Sequence, residues 1–262
     1  MTITSPYHQN RERSLNARDI FEVVHANLPG AGFEAIYAGG EKARGFEEKQ
    51  PLATRFQSAM AKLPLVAILR GVTPTDAPLI LEALLDEGFA LIEIPLNSPN
   101  PLASIEAMRR KAPAEVFIGA GTVLSAADVA AVADAGGDLI VTPNAEPTVI
   151  AAAKARGLIC LPGVATPTEA FAALRAGADG LKAFPAEMIG PAVVKAWRAV
   201  IPAEVPILPV GGIGPQSLAP YVAAGASGFG LGSALYRPGD ASAAVRERAA
   251  AFAVAWRAVV RG

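Results

Sequence analysis

From Leu65 onward, short apolar runs alternate with amphipathic stretches at intervals of roughly 20–25 residues. The runs that read as buried strands are Leu65–Leu69, Leu91–Pro95, Val116–Ala120, Leu139–Thr142, Leu158–Leu161, Gly180–Phe184, Ile207–Val210 and Gly228–Leu231. Helical periodicity falls between them, as in Asp76–Glu87, Ala126–Ala135, Pro167–Ala176 and Pro191–Val200, and a last stretch, Ala241–Val260, closes the chain. Thr73-Pro74, Thr166-Pro167 and Gly214-Pro215 mark helix starts, because proline is tolerated in the first turn. Gly88, Gly157, Gly177 and Gly225 mark helix ends.

Eight βα units in a row predict an α/β fold, a parallel sheet closed into a (β/α)8 TIM barrel over residues 60–262. An open doubly wound sheet is the alternative. Its Gly-x-Gly-x-x-Gly turn would follow the first strand, where this chain carries Leu69-Arg70-Gly71-Val72-Thr73-Pro74. Residues 1–59 differ: they contain Gly39-Gly40 and Glu47-Glu48-Lys49 and lack the strand–helix rhythm, although Ala17 to Ala26 fits a helix. Met60-Ala61-Lys62-Leu63-Pro64 resembles a natural start, so residues 1–59 are expected to be a poorly ordered extension or the product of a start placed too far upstream.

Composition narrows the chemistry. The 262 residues are 52% hydrophobic and carry a net charge of −1, too balanced to predict nucleic acid or an anionic membrane as a partner. No apolar run reaches about 18 residues, so no membrane span is predicted. The single cysteine, Cys160, and the absence of a signal-peptide pattern predict a reducing cytoplasm. Cys160 itself reads as a small buried hydrophobe. Both histidines, His8 and His25, precede residue 30. His/Cys zinc sites and Ser-His-Asp or Cys-His catalysis are thereby excluded from the barrel, and proton transfer falls to carboxylate, lysine, tyrosine or water.

Barrels of this kind build active sites at the C-terminal ends of their strands. Lys182 lies in the apolar run Gly180-Leu181-Lys182-Ala183-Phe184-Pro185 of the sixth strand. A buried ammonium costs several kcal/mol unless paired or deprotonated, and a neutral lysine is a Schiff-base nucleophile. Glu93 sits in Leu91-Ile92-Glu93-Ile94-Pro95-Leu96 of the second strand, and alternation puts it on the face opposite Ile92 and Ile94. Strands two and six face each other across an eight-stranded barrel. An amine and a carboxylate in one dry pocket are what a class I aldolase requires; a structural ion pair filling the barrel is the alternative.

Val210-Gly211-Gly212-Ile213-Gly214 and Gly230-Leu231-Gly232-Ser233 follow the seventh and eighth strands, where such barrels frequently bind phosphate. Gly211, Gly212 and Gly232 would let backbone N–H groups approach an anion, and Ser233 adds a hydroxyl. Thr122, after Gly119-Ala120-Gly121, can hydrogen-bond a carboxylate or cap the helix that starts at Ser125. Arg70 can clamp an anion or be a plain surface arginine. Pro143 and Phe184 can wall the pocket or simply pack.

These residues carry a resemblance. From about Leu63 to Val260 the chain resembles the 2-keto-3-deoxy-6-phosphogluconate and -galactonate aldolases, through Ala67-Ile68-Leu69-Arg70-Gly71, Glu93-Ile94-Pro95-Leu96-Asn97-Ser98-Pro99, Ile118-Gly119-Ala120-Gly121-Thr122-Val123, Val141-Thr142-Pro143-Asn144, Leu181-Lys182-Ala183-Phe184-Pro185 and Gly230-Leu231-Gly232-Ser233. The resemblance implies that Lys182 forms the Schiff base and Glu93 moves protons. It implies that Thr122 holds the pyruvate carboxylate, that Arg70 contacts substrate, and that Gly211, Gly212, Gly232 and Ser233 bind the phosphate. Gluconate-type members carry threonine and then arginine after the glutamate, where this chain has Pro95 and Asn97. The run is similar to the galactonate-type branch, which implies cleavage of 2-dehydro-3-deoxy-6-phosphogalactonate to pyruvate and glyceraldehyde 3-phosphate in galactonate catabolism. It also implies a homotrimer with neither metal nor organic cofactor. The rivals are the gluconate-type epimer as substrate, a phosphosugar isomerase or epimerase, and a non-catalytic phosphate-binding barrel.

Overall fold

A computed structural model describes residues 51–261. The expected helix Ala17–Ala26, both histidines and nearly all of the 1–59 extension lie outside the described residues.

The first described element is a helix, α1 (Leu52–Lys62), which crosses the expected boundary at residue 60. Nine parallel strands follow, β1 (Leu65–Ile68), β2 (Leu91–Pro95), β3 (Phe117–Gly121), β4 (Leu139–Val141), β5 (Ile159–Leu161), β6 (Gly163–Val164), β7 (Leu181–Ala183), β8 (Ile207–Pro209) and β9 (Phe229–Leu231). Between or after them lie α2 (Ala77–Asp86), α3 (Pro101–Lys111), α4 (Ala126–Asp134), α5 (Pro147–Ala155), α6 (Pro167–Arg175), α7 (Pro191–Arg198), α8 (Leu218–Ala223) and α9 (Ser242–Arg261). The helix boundaries follow local chemistry. Thr166 caps α6 in a capping box with Glu169, and Ser125 caps α4 through the Asp128 N–H. Gly177 ends α6 at φ 99°, a conformation that costs a side-chain-bearing residue energy. Two expected starts move: α2 begins at Ala77 after a turn closed by Thr73 and Asp76, and Pro215 opens a short 3₁₀ turn before α8.

The strands form two parallel sheets, β5-β4-β3-β2-β1-β9 and β6-β7-β8. Eight strands in one closed sheet, the expectation from the βα rhythm, is therefore met only in part. The fifth expected strand, Leu158–Leu161, is present as β5, and beyond Pro162, which has no N–H to give the ladder, an unexpected short strand follows, so β5 pairs with β4 while β6 pairs with β7. Between β8 and β9 the contact is a single bridge, Val210 to Gly230, with the Ser227 N–H donating to Ile207 O at 2.9 Å.

Two apolar cores result. The larger lies between the strands and the surrounding helices and takes the outward residues of each strand, such as Ala67, Ile92, Ile118, Ile140 and Leu181. The smaller fills the inside of the curled sheet: Val66, Leu91, Phe117, Leu139, Val141, Ile159, Leu161 and Leu208. α1 closes the end where the strands begin, with Phe56 and Ala59 joining the inner core and Phe56 meeting Phe117 edge-on at 5.9 Å between ring centroids. Arg55 lies over the same Phe117 ring at 4.9 Å and donates to Asp138 at 3.3 Å. The strand carboxyl ends stay open for chemistry.

Candidate active site

Strand alternation sends Glu93 and Lys182 inward, among the side chains of the smaller core. Both line one narrow cavity of about 10 Å³ with Val66, Ile68, Val141, Leu161, Leu208, Val210 and Gly230. Glu93 is 2% exposed and Lys182 8% exposed. Burial pushes the Glu93 carboxyl up to about 7, against the pull of Lys182 and Arg70. Burial likewise pushes the Lys182 ammonium down; Glu93 resists this and Arg70 adds to it. Both shifts favour neutral forms, the state in which an amine attacks a carbonyl and a carboxyl delivers a proton. One Glu93 oxygen, Oε2, is buried without a hydrogen-bond partner among the described residues, which costs about 1–3 kcal/mol and suits a group held ready for substrate or water. Lys182 Nζ sits 4.7 Å from the centroid of the Phe184 ring. Phe184 therefore walls the lysine rather than merely filling the core.

The neighbouring strand end is shaped around Glu93. A side chain at Gly121 would run into the Glu93 carboxylate, so the glycine is required by close approach. Thr122 follows at φ 57°, a left-handed conformation that a β-branched residue adopts only under constraint, at about 1–3 kcal/mol. Thr122 is partly buried beside Gly121 but lines neither cavity described here. Arg70 is exposed at the end of β1, with its Nη1 donating to Asn97 Oδ1 at 2.6 Å, and the Gly71 N–H donates to Ser98 Oγ at 2.9 Å. The loop after β2 thus orients the loop after β1.

A second, larger cavity of about 580 Å³ opens beside the first and shares its walls Ile68 and Val210. Gly211, Gly212, Gly232, Ser233 and Arg70 line it. The structure therefore brings together all of the expected phosphate residues and places them next to the lysine chamber. Gly211 (φ 118°) and Gly212 (φ 61°) adopt positive φ, a backbone that favours glycine and leaves no side chain between the loop and the cavity. Sequence reasoning missed Glu187, Gln216, Tyr236 and Arg237, which also line this cavity. The only signals were proximity in sequence, four residues after Ser233 for Arg237 and five after Lys182 for Glu187, both in loops. Cys160 is buried with its thiol pushed up to about 12 by burial and by Asp179, an inert position outside both cavities. Pro143 lies behind β6, its carbonyl against Gly163.

Among the described residues no cluster of three or more His, Cys, Asp or Glu side chains could hold a metal ion. None of their helices is long and apolar enough to cross a membrane. The family model "KDPG and KHG aldolase" matches residues 56–246. Over 199 residues the chain is 52% identical to a Rhizobium meliloti protein named "Probable 2-dehydro-3-deoxy-6-phosphogalactonate aldolase", covering 76% of this chain and 94% of that one. It is 48% identical over 200 residues to the Escherichia coli "2-dehydro-3-deoxy-6-phosphogalactonate aldolase", covering 76% of this chain and 98% of that one. A solved structure described as "Native KDPGal structure" superposes with a TM-score of 0.75 at 47% identity, over 77% of this chain and 98% of that one.

Proposed function

The chain belongs to the KDPG and KHG aldolase family, and we propose that it is a Schiff-base aldolase that cleaves 2-dehydro-3-deoxy-6-phosphogalactonate to pyruvate and glyceraldehyde 3-phosphate. The observation that carries this reading is a buried amine and a buried carboxyl in one small chamber that shares its walls Ile68 and Val210 with a glycine-lined pocket. The galactonate epimer is favoured by the relatives at 48–52% identity and by the Glu93-Ile94-Pro95-Leu96-Asn97 run.

In this mechanism neutral Lys182 attacks the C2 ketone. Glu93 passes a proton to the carbinolamine hydroxyl, which leaves as water and gives an iminium. A base removes the C4 hydroxyl proton, the C3–C4 bond breaks, and its electron pair moves to the iminium. Glyceraldehyde 3-phosphate leaves, and an enamine of pyruvate stays on Lys182. Protonation at C3 and attack by water then release pyruvate and the free lysine. Thr122 lines neither cavity, but it follows the Gly121 that abuts the Glu93 carboxylate, and in this reading it takes the pyruvate carboxylate from there. Arg70, steadied by Asn97, contacts the sugar acid. Gly211, Gly212, Gly232 and Ser233 take the phosphate. The chemistry needs no metal and no organic cofactor.

The same reading takes the two sheets as one (β/α)8 barrel that is interrupted at Pro162 and bridged at Val210–Gly230, with α1 as its first element. It places the protein in the cytoplasm as a homotrimer. The deciding experiment is pyruvate formation from the galactonate and gluconate epimers side by side, with borohydride trapping in the presence of pyruvate. Faster turnover of the galactonate epimer and a label on Lys182, lost in Lys182→Ala, are expected. Labelling that persists in Lys182→Ala would refute the nucleophile. Phosphosugar turnover without any label would point to an isomerase.

A further inference from the structure

We propose that Arg237 is a further phosphate-binding residue of this site, supplying the positive charge that lets the dianion displace the Glu187 carboxylate from the double-glycine loop. The inference rests on the aldolase reading above.

The expected phosphate ligands are neutral: three glycines and a serine. Three charged side chains share their cavity, Arg70, Glu187 and Arg237. Arg70 is committed to Asn97 at 2.6 Å and faces the Glu93–Lys182 chamber, whose charges it perturbs. Glu187 is placed against Gly211 and Gly212. A Cβ built on Gly211 would lie 3.1 Å from Glu187 Oε1, and one built on Gly212 would lie 3.3 Å from the same oxygen. A phosphate approaching these glycines therefore meets a carboxylate, and like charges at close range repel even where solvent screens them. Arg70 is held by the Asn97 amide, so the cleft gains from a second cation on the side of the Gly232-Ser233 turn.

Arg237 fills that place. Its Nε donates to Ser233 O at 3.1 Å, which ties the guanidinium to the Gly232-Ser233 turn. The turn is itself closed by the N–H groups of Leu235 and Tyr236, which donate to Gly232 O at 2.8 and 3.0 Å. The Arg237 backbone N–H is held by Asp240 Oδ2 at 2.7 Å, and Asp240 spends its charge on Arg248. Both ends of the residue are fixed, while its two terminal amino groups make no hydrogen bond among the described residues. A guanidinium fork held rigid beside three glycines and a hydroxyl matches phosphate geometry.

The test is steady-state cleavage of 2-dehydro-3-deoxy-6-phosphogalactonate together with competitive inhibition by inorganic phosphate. Arg237→Ala should raise both KM and the phosphate Ki by roughly 10–100-fold, the worth of one or two charge-assisted hydrogen bonds, with the loss in KM rather than kcat. Arg237→Lys should recover part of it, and Glu187→Gln should lower both constants. Arg237→Gln, which keeps a donor for Ser233, guards against a folding defect in the alanine variant. Unchanged KM and Ki in both Arg237→Ala and Arg237→Gln would overturn the proposal, as would a loss confined to kcat and thermal stability. Wild-type turnover and labelling of Lys182 report separately on the aldolase reading; their failure leaves phosphate binding measurable by calorimetry.

Discussion

Replacing Glu93 by glutamine should make the protein's stability less dependent on pH while crippling the reaction. The carboxyl titrates at about 7 in the folded chain against 4.5 when free, chiefly because burial strips its water. Between those two values the folded state holds a proton that the unfolded state has released, so stability falls as pH rises through the window. At 1.36 kcal/mol per pH unit, a span from 4.5 to about 7 amounts to roughly 3 kcal/mol. Wild-type stability is thus fully expressed below pH 4.5 and has lost that amount above about pH 7. Glu93→Gln lacks the titration. Urea unfolding of both proteins between pH 4.5 and 8 should show the variant gaining on the wild type by roughly 3 kcal/mol as pH rises, whatever fixed offset the buried amide introduces. Turnover should fall by roughly 10²–10⁴-fold over the same range. A stability difference that stays flat with pH would show that Glu93 is ionised in the folded chain, and the proton-shuttle argument would fall with it.

Two further outcomes follow from local geometry. Thr122→Gly relieves a left-handed threonine, so the unfolding free energy should stay level or rise by up to about 1 kcal/mol, while KM for the keto acid rises by about tenfold or more; a marked loss of stability would make the threonine structural. Phe56→Ala empties the edge contact with Phe117 and should cost about 3–5 kcal/mol, with kcat of the folded protein within about twofold of wild type; a large fall in kcat of the folded variant would contradict its place at the far end of the chamber.

The strand positions and the inward aim of Glu93 and Lys182 were legible because a strand has a period of two and a single charge in an apolar run must choose a face. The glycine loops were legible from their position after the last two strands. β6 was not, since the expected run stops at Leu161 and the two residues Gly163-Val164 beyond Pro162 are too few to show a strand period, although they pair with β7. α1 was missed although Leu52, Phe56 and Ala59 recur at helical spacing, because those apolar positions stand in a polar setting and their partner, Phe117, is remote in sequence. Glu187 and Arg237 belong to loops, where no periodicity announces which side chain turns toward a cavity. Thr122 carried a sequence signal for hydrogen bonding, but the strain that sets it apart is a property of the backbone alone.

The helix across the strand-entry end also bears on how the site can change. Phe56 and Ala59 fill that side of the inner core, while the anion pocket shares Ile68 and Val210 with the lysine chamber. Packing and chemistry are thereby kept at opposite ends of the strands. Loops at the carboxyl end can be exchanged to retune the substrate without disturbing the plug that holds the strand-entry end together.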